Sequence, residues 1–184
     1  MSDAEDSGLT DKKNHRLFFA LCPDTPVRQL IMNTREEYFP RQGKFVDKDN
    51  LHLTLAFPGQ STQKEMDCYI QAATQVRSAP FILTLDNIGC FQRARVLWMG
   101  CKQVPEGLLN LVEILNGELS ACAYQPEDRA FKPHVTLARK YQTVPVNTQA
   151  FSICWYVKSF SLMQSVSSVN GVQYQSLQTW ALTG

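Results

Sequence analysis

The sequence predicts an α+β protein. Short strand-like apolar runs and helical stretches of 3.6-residue period follow one another as strand, helix, strand, helix, two strands, helix, strand, two strands. One tetrapeptide pattern, His-aliphatic-Thr-Leu, occurs twice, as His52-Leu53-Thr54-Leu55 and His134-Val135-Thr136-Leu137. A helical stretch precedes each copy, so the second half of the chain loosely repeats the first.

Composition sets outer bounds. At 184 residues, with 44% hydrophobic and 19% charged residues, the chain fits one globular domain or two small lobes sharing a core. A formal net charge of +1 provides no global field for nucleic acid, so any polyanion must be met by a local patch. The six cysteines form no Cys-x-x-Cys pair, which argues against zinc knuckles and thioredoxin-like redox chemistry. The start, Met1 to Asp6, is acidic and lacks the apolar segment of an export signal, and no apolar run is long enough to cross a bilayer. The expectation is therefore a cytoplasmic protein with no membrane association. Its thiols are expected to be free, most of them as small core residues.

Residues 1–14 are polar without periodicity and are expected to form a disordered tail, leaving 15–184 as the folded domain. Residues 16–22, rich in aromatics and closed by Pro23, read as a buried strand. Residues 26–39 read as a helix, with Pro26 at its first position and Val27, Leu30, Ile31 and Thr34 on one face. A connection over 45–50 leads to the first His-Thr strand, 51–57, which Pro58-Gly59 is expected to stop. Thr62 and Glu65 have capping-box spacing and open a helix to about residue 78, with Met66, Tyr69, Ile70, Ala73 and Val76 inward. Residues 81–88 and 96–100 read as strands. A third helix begins at Pro105 and buries Leu108, Leu111, Val112, Leu115, Leu119 and Cys122. The second His-Thr strand spans 133–139, a loop covers 140–150, and strands at 155–165 and 172–182 flank the hairpin signal Asn170-Gly171.

Side chains alternate faces along a strand, so His and Thr two apart share a face. A lone His-x-Thr is unspecific, since both residues occur in strands for structural reasons. Two copies that use two of three histidines are more specific. Two facing strands of this kind make a polar slot with two imidazoles and two hydroxyls. That set suits phosphodiester hydrolysis: a neutral His takes a proton from water, a protonated His gives one to the leaving oxygen, and hydroxyls donate to the non-bridging oxygens. A metal site is poorly served by two histidines without carboxylates at ligand spacing. No Gly-x-Ser-x-Gly elbow or phosphate-binding Gly-rich loop is present.

The paired motifs resemble the His-x-Thr-x signatures of the 2H phosphoesterases. Arg16-Leu-Phe-Phe-Ala, Asn50-Leu-His-Leu-Thr-Leu-Ala-Phe, Pro133-His-Val-Thr-Leu-Ala-Arg139 and Trp180-Ala-Leu-Thr resemble the bacterial RNA 2′,3′-cyclic phosphodiesterases of the LigT-like, or "2′-5′ RNA ligase", branch. The likeness spans about residues 15–184. It implies a bilobal fold: two pseudo-symmetric lobes of antiparallel sheet, helices outside, and an active-site cleft between them. It also implies cofactor- and metal-independent opening of RNA 2′,3′-cyclic phosphate ends, or of short oligonucleotides bearing them, to 2′-phosphomonoesters. By motif position His52 is the proton donor, His134 the proton acceptor, and Thr54, Thr136 and Arg139 bind the phosphate. A monomer without an obligate protein partner is expected.

Parity qualifies one of these assignments. Arg139 lies five residues after His134, so strict alternation turns it to the other face unless the strand ends or bulges near Ala138. Otherwise it is a solvated strand-end arginine. Phe57, at the matching place after the first motif, either packs in the core or lies against a nucleobase. Lys44, Arg93, Arg95, Arg129 and Lys140 read as solvated surface, and Lys132, which shares the parity of His134, is the best candidate among them for a phosphate or RNA-backbone contact. His15 reads as a strand-edge histidine, and Trp98, Trp155 and Trp180 as core. Two other activities remain open: 2′-5′ joining of RNA ends by the reverse reaction, and nucleotide or RNA binding without turnover.

Overall fold

The computed structural model describes residues 15–39, 42–142, 150–169 and 171–184. The expected tail, residues 143–149 of the expected loop, and Asn170 of the hairpin turn lie outside the described residues. In chain order the elements are β1 (His15–Leu21), α1 (Thr25–Tyr38), β2 (Lys44–Phe45), a 3-10 turn (Lys48–Asn50), β3 (Leu53–Ser61), α2 (Gln63–Thr74), β4 (Phe81–Leu85) and β5 (Asn87–Phe91). They continue with β6 (Val96–Gly100), α3 (Glu106–Ser120), β7 (His134–Arg139), β8 (Ile153–Val157), β9 (Ser159–Ser168) and β10 (Gly171–Ala181). The fold is α+β, as expected.

Local chemistry sets the helix ends. Asp24 caps α1 by accepting the Val27 N–H, and Pro26 sits in the first turn, where its missing N–H has no intrahelical partner to lose. At α2 the capping box is complete: Thr62 Oγ1 accepts from the Glu65 N–H while the Glu65 carboxylate accepts from the Thr62 N–H. The leucines and the valine expected inward on α3 are all buried. On α1 the buried stripe is Val27, Ile31 and Arg35, spaced by four, while Leu30 is 49% exposed. Arg35 takes the inward place expected of an apolar residue. Its guanidinium donates to the Val46 carbonyl at 2.7 Å and lies 4.5 Å from the Phe45 ring centroid.

One large sheet runs β10-β9-β1-β3-β7-β6-β5, with β2 beside β7; β4 and β8 form a separate pair. All its pairings are antiparallel. The helices cover one face, where Leu17, Phe19, Leu21, Leu53, Leu55, Leu97, Met99, Val135 and Leu137 meet the stripes of α1, α2 and α3 in one core. On the other face Phe18, Ala20 and Met163 form a small separate cluster with Tyr174. The two halves meet in the middle of the sheet, where β3 and β7 pair at a single position, Leu53 opposite Val135.

The structure corrects four sequence expectations. Strand β3 runs through Pro58-Gly59 to Ser61, pairing with β1. Its register shifts between Leu17 and Phe19, so Pro58 falls in an irregular stretch where a missing N–H breaks no ladder bond. The strand expected at 81–88 breaks at Asp86 into β4 and β5, which pair in different sheets. The strand expected at 155–165 breaks likewise at Lys158 into β8 and β9. Finally, Cys68 on α2 and Cys122 just past α3 form a disulfide, with Cα atoms 5.8 Å apart. The other four cysteines are free, and none is fully buried. Among the described residues no helix is long and apolar enough to cross a membrane.

Candidate active site

The seam between β3 and β7 assembles the repeated motif. Antiparallel pairing of Leu53 with Val135 sets Thr136 across from His52 and Thr54 across from His134. Leu53 and Val135 point into the core, fully buried, so the His and Thr side chains share the opposite, open face, where all four are half-buried. The expected slot of two imidazoles and two hydroxyls is present as two diagonals of one cross-strand square.

Both strands bulge one step further on. In β7 the register moves from Thr136 opposite Trp98 to Ala138 opposite Leu97, two residues against one. In β3 it moves from Thr54 opposite Ala20 to Ala56 opposite Phe19 in the same way. Each bulge buries two successive residues, Leu55-Ala56 and Leu137-Ala138, and leaves the next one, Phe57 and Arg139, exposed. This is the parity reset that the expectation for Arg139 required. Arg139 is near enough for its charge to lower the proton affinity of both histidines.

The imidazoles are held alike. Nδ1 of His52 lies 2.7 Å from the Asn50 carbonyl oxygen, and Nδ1 of His134 lies 2.7 Å from that of Lys132. A carbonyl oxygen only accepts, so Nδ1 carries the hydrogen and Nε2 is left for chemistry. Burial pushes the His52 pKa below the ordinary imidazole value; the Asn50 carbonyl opposes this, while the positive charges of Arg139 and His134 add to it. Burial lowers the His134 pKa too, opposed by the Lys132 carbonyl and reinforced by Arg129 and Arg139.

Aromatic pairs fix the rings. Phe18 and Tyr174 flank His52 at centroid distances of 4.8 and 4.9 Å. Phe91 and Trp98 flank His134 at 5.0 and 6.3 Å. Trp98 is thus half-buried at the site and not in the core; a Cβ on the opposing Gly89 would fall 2.1 Å from its ring. Trp155 is buried as expected, and Trp180 is half-buried, stacked on Phe160. Sequence reasoning missed Asn50 as well as these aromatics. Its side-chain amide donates to the Val172 carbonyl and accepts from the Tyr174 N–H, at 2.8 and 3.0 Å, while its own carbonyl holds His52. A cavity of about 280 Å³ beside His52 is lined by Asn50, Tyr174, Cys22 and Met163 among others.

The remaining candidates lie around this site. Lys132 is exposed and precedes β7, so strand parity does not govern it; its backbone, not its side chain, serves His134. Arg129 pairs with Glu127. His15 lies at the start of β1, with Nδ1 3.2 Å from the Gln164 amide nitrogen. Lys44 stands directly opposite Arg139, and Arg93 and Arg95 lie in the β5–β6 turn. Phe57 lies under the Arg16 guanidinium at 5.4 Å, and its N–H donates to the Tyr124 hydroxyl. Among the described residues no three His, Cys, Asp or Glu side chains gather in a metal-holding group.

Two imidazoles with Nε2 available, two hydroxyls and an arginine on one face can donate and accept protons around a phosphoryl group while hydrogen-bonding its oxygens. The family model described as LigT like phosphoesterase matches residues 21–98. Over 170 residues the chain is 35% identical to the RNA 2′,3′-cyclic phosphodiesterase of Escherichia coli K12, covering 91% of this chain and 97% of that protein. It is 32% identical over 181 residues to the protein of the same name from Thermus thermophilus, covering 92% and 91%. The fold matches E. coli LigT in its apo form with a TM-score of 0.85 at 35% identity, covering 92% of this chain and 98% of that one. It matches E. coli LigT complexed with 3′-AMP at a TM-score of 0.84 and 34% identity, covering 92% and 99%. Likeness over nearly the whole length, in sequence and in fold, places the chain in the LigT-like family of 2H phosphoesterases.

Proposed function

We propose that the protein opens RNA 2′,3′-cyclic phosphate termini to 2′-phosphomonoesters, using its own side chains as the acid and base. The relatives from E. coli and T. thermophilus are named for the 2′,3′-cyclic phosphodiesterase activity. The observation that carries the mechanism is the matched pinning of both Nδ1 atoms to the carbonyl two residues upstream, which leaves two Nε2 atoms on one open face. Water attacks phosphorus as His134 Nε2 takes its proton. The P–O3′ bond breaks as His52 Nε2 protonates the departing oxygen. Thr54, Thr136 and Arg139 donate to the non-bridging oxygens as charge builds there.

Both free imidazoles favour the neutral form, which suits the base. A bound phosphodiester anion supplies the charge that favours imidazolium at His52, so substrate prepares the acid. Joining of RNA ends is the reverse of the same chemistry and is outweighed by water in molar excess. We read residues 15–184 as one catalytic domain, monomeric and working in the cytoplasm.

The test is product analysis on a nucleoside 2′,3′-cyclic phosphate with wild type, His52→Ala and His134→Ala. The expected product is the 2′-phosphate, with turnover reduced by about 10³-fold or more in each variant and undiminished by EDTA. Full activity in either variant removes the mechanism, and a 3′-phosphate product reassigns the leaving oxygen.

A further inference from the structure

We propose that a cationic ledge formed by Lys44, Arg95 and Lys140, with Arg93 at its rim, binds a backbone phosphate of the RNA upstream of the cyclic terminus. The inference rests on RNA being the substrate of the His-Thr face.

The sheet register builds the ledge. Lys44 of β2 stands directly opposite Arg139 of β7 in an antiparallel pair, so the two side chains share a face and both are exposed. Like charges directly opposed across strands are destabilising. Across β7 the chain turns at Arg95, whose carbonyl accepts the Tyr141 N–H at 2.9 Å, bringing Arg95 beside Lys140. Lys44, Arg93, Arg95, Arg139 and Lys140 are all exposed, and none is in an ion pair among the described residues. The nearby acids are engaged: Asp47 caps the 3-10 turn and Asp49 pairs with Arg28. Five cations thus share the β2–β7–β6 end of the sheet, the Lys44 ammonium leaning toward Gly171 at the start of β10, in a chain whose net charge is only +1.

The placement is specified by the backbone. Gly43, at φ +67°, lets β2 approach so closely that a Cβ there would fall 2.4 Å from the Arg139 carbonyl oxygen. Arg95 and Lys140 both hold left-handed backbone, at φ 52° and 56°, which non-glycine residues rarely adopt. The structure therefore maintains this concentration of charge against both electrostatic and conformational cost. An anion at the ledge offsets the first.

A nucleoside cyclic phosphate has one phosphoryl group, and the His-Thr face takes it. Arg139 lies three residues beyond Thr136, but the bulge takes up one of them: the two stand opposite Val96 and Trp98, roughly 7 Å apart along the strand. The ledge beyond Arg139 suits a second phosphate, which an RNA chain provides and a cyclic mononucleotide does not. The protein then recognises an RNA end more strongly than a free cyclic nucleotide.

The test compares a cyclic mononucleotide, the same compound bearing a 5′-phosphate, and a short oligoribonucleotide with a 2′,3′-cyclic end. The triple variant Lys44→Gln, Arg95→Gly, Lys140→Gly removes three charges, and glycine suits the two left-handed positions. Wild type is expected to prefer the oligomer in kcat/KM, and raising salt from 50 to 200 mM should erode that preference by about three-fold, as for one neutralised phosphate. The variant should lose the preference and its salt dependence while turning over the mononucleotide as wild type does. Equal oligomer preference in both proteins, or none in wild type, overturns the ledge. A preference met fully by the 5′-phosphate alone assigns it to terminal phosphates and overturns the RNA-backbone reading. Fluorescence anisotropy with a labelled oligomer ending in a 2′-phosphate reads binding without turnover. If no substrate is hydrolysed but the variant binds this oligomer more weakly, the functional reading fails and the ledge stands.

Discussion

At the scale of single residues, Asn50 links two parts of the site that are far apart in sequence. Its amide is matched on both sides by the β10 backbone, while its carbonyl sets the tautomer of His52. Asn50→Ala leaves the Val172 carbonyl and the Tyr174 N–H to water and releases the ring that packs edge-on against His52. A misplacement of about 1 Å at an acid costs on the order of 10²-fold in rate. We therefore expect Asn50→Ala to lower kcat by roughly 10- to 100-fold with little change in KM. Asn50→Asp should rescue in part, since it still accepts from Tyr174 but does not donate to Val172 at neutral pH. A fall confined to thermal stability, with kcat unchanged, would mark Asn50 as structural only.

At the scale of elements, the legible parts were those that follow local rules. The stripe of α3 and the capping box of α2 depend on neighbours three or four residues away, and both were found as expected. His52, Thr54, His134 and Thr136 were legible because period-two alternation and duplication both operate within four residues. The bulge near Ala138 was legible only as a condition on Arg139, and the one at Leu55-Ala56 not at all, because neither contains a glycine to mark it. Nor was Asn50, whose partners lie 122 and 124 residues away. Arg35 escaped because a buried cation is justified only by the carbonyl and ring that meet it in the fold.

The Cys68–Cys122 bond was also hidden, since spacing alone does not reveal which helices lie side by side. It ties α2 to the end of α3, two residues before Tyr124, whose hydroxyl accepts the Phe57 N–H. Closing a separation of 54 residues is worth about 4 kcal/mol on loop entropy. Reductant should therefore lower the melting temperature of wild type and leave Cys122→Ser unchanged. Equal melts of wild type with and without reductant would show that the bond adds nothing.

At the scale of the whole molecule, the lowered proton affinities of both histidines set the pH behaviour. On the proposed mechanism one imidazole is charged and the other neutral, so activity is expected to rise and then fall with pH. In the free protein both pKa values lie below the usual value of about 6.5, so charged acid is lost early as pH rises. A bound phosphate anion favours the charged form and moves that loss upward. The alkaline limb of kcat should accordingly lie at higher pH than that of kcat/KM, as measured by pH–rate profiles on one substrate. Coincident limbs would mean that substrate charge does not reach the acid.

The paired bulges carry one more consequence. Because β3 and β7 repeat the same backbone step, the scaffold by itself is ambidextrous: a substrate with one phosphorus could enter in either of two orientations related by the seam. The side chains differ between the halves: Phe57 stands where Arg139 does in the second half, and His52 lies between Phe18 and Tyr174 where His134 lies between Phe91 and Trp98. On the proposed reaction, the choice of which ester oxygen departs falls to these side chains and not to the backbone. The backbone frame repeats, and its side chains distinguish the two ways in.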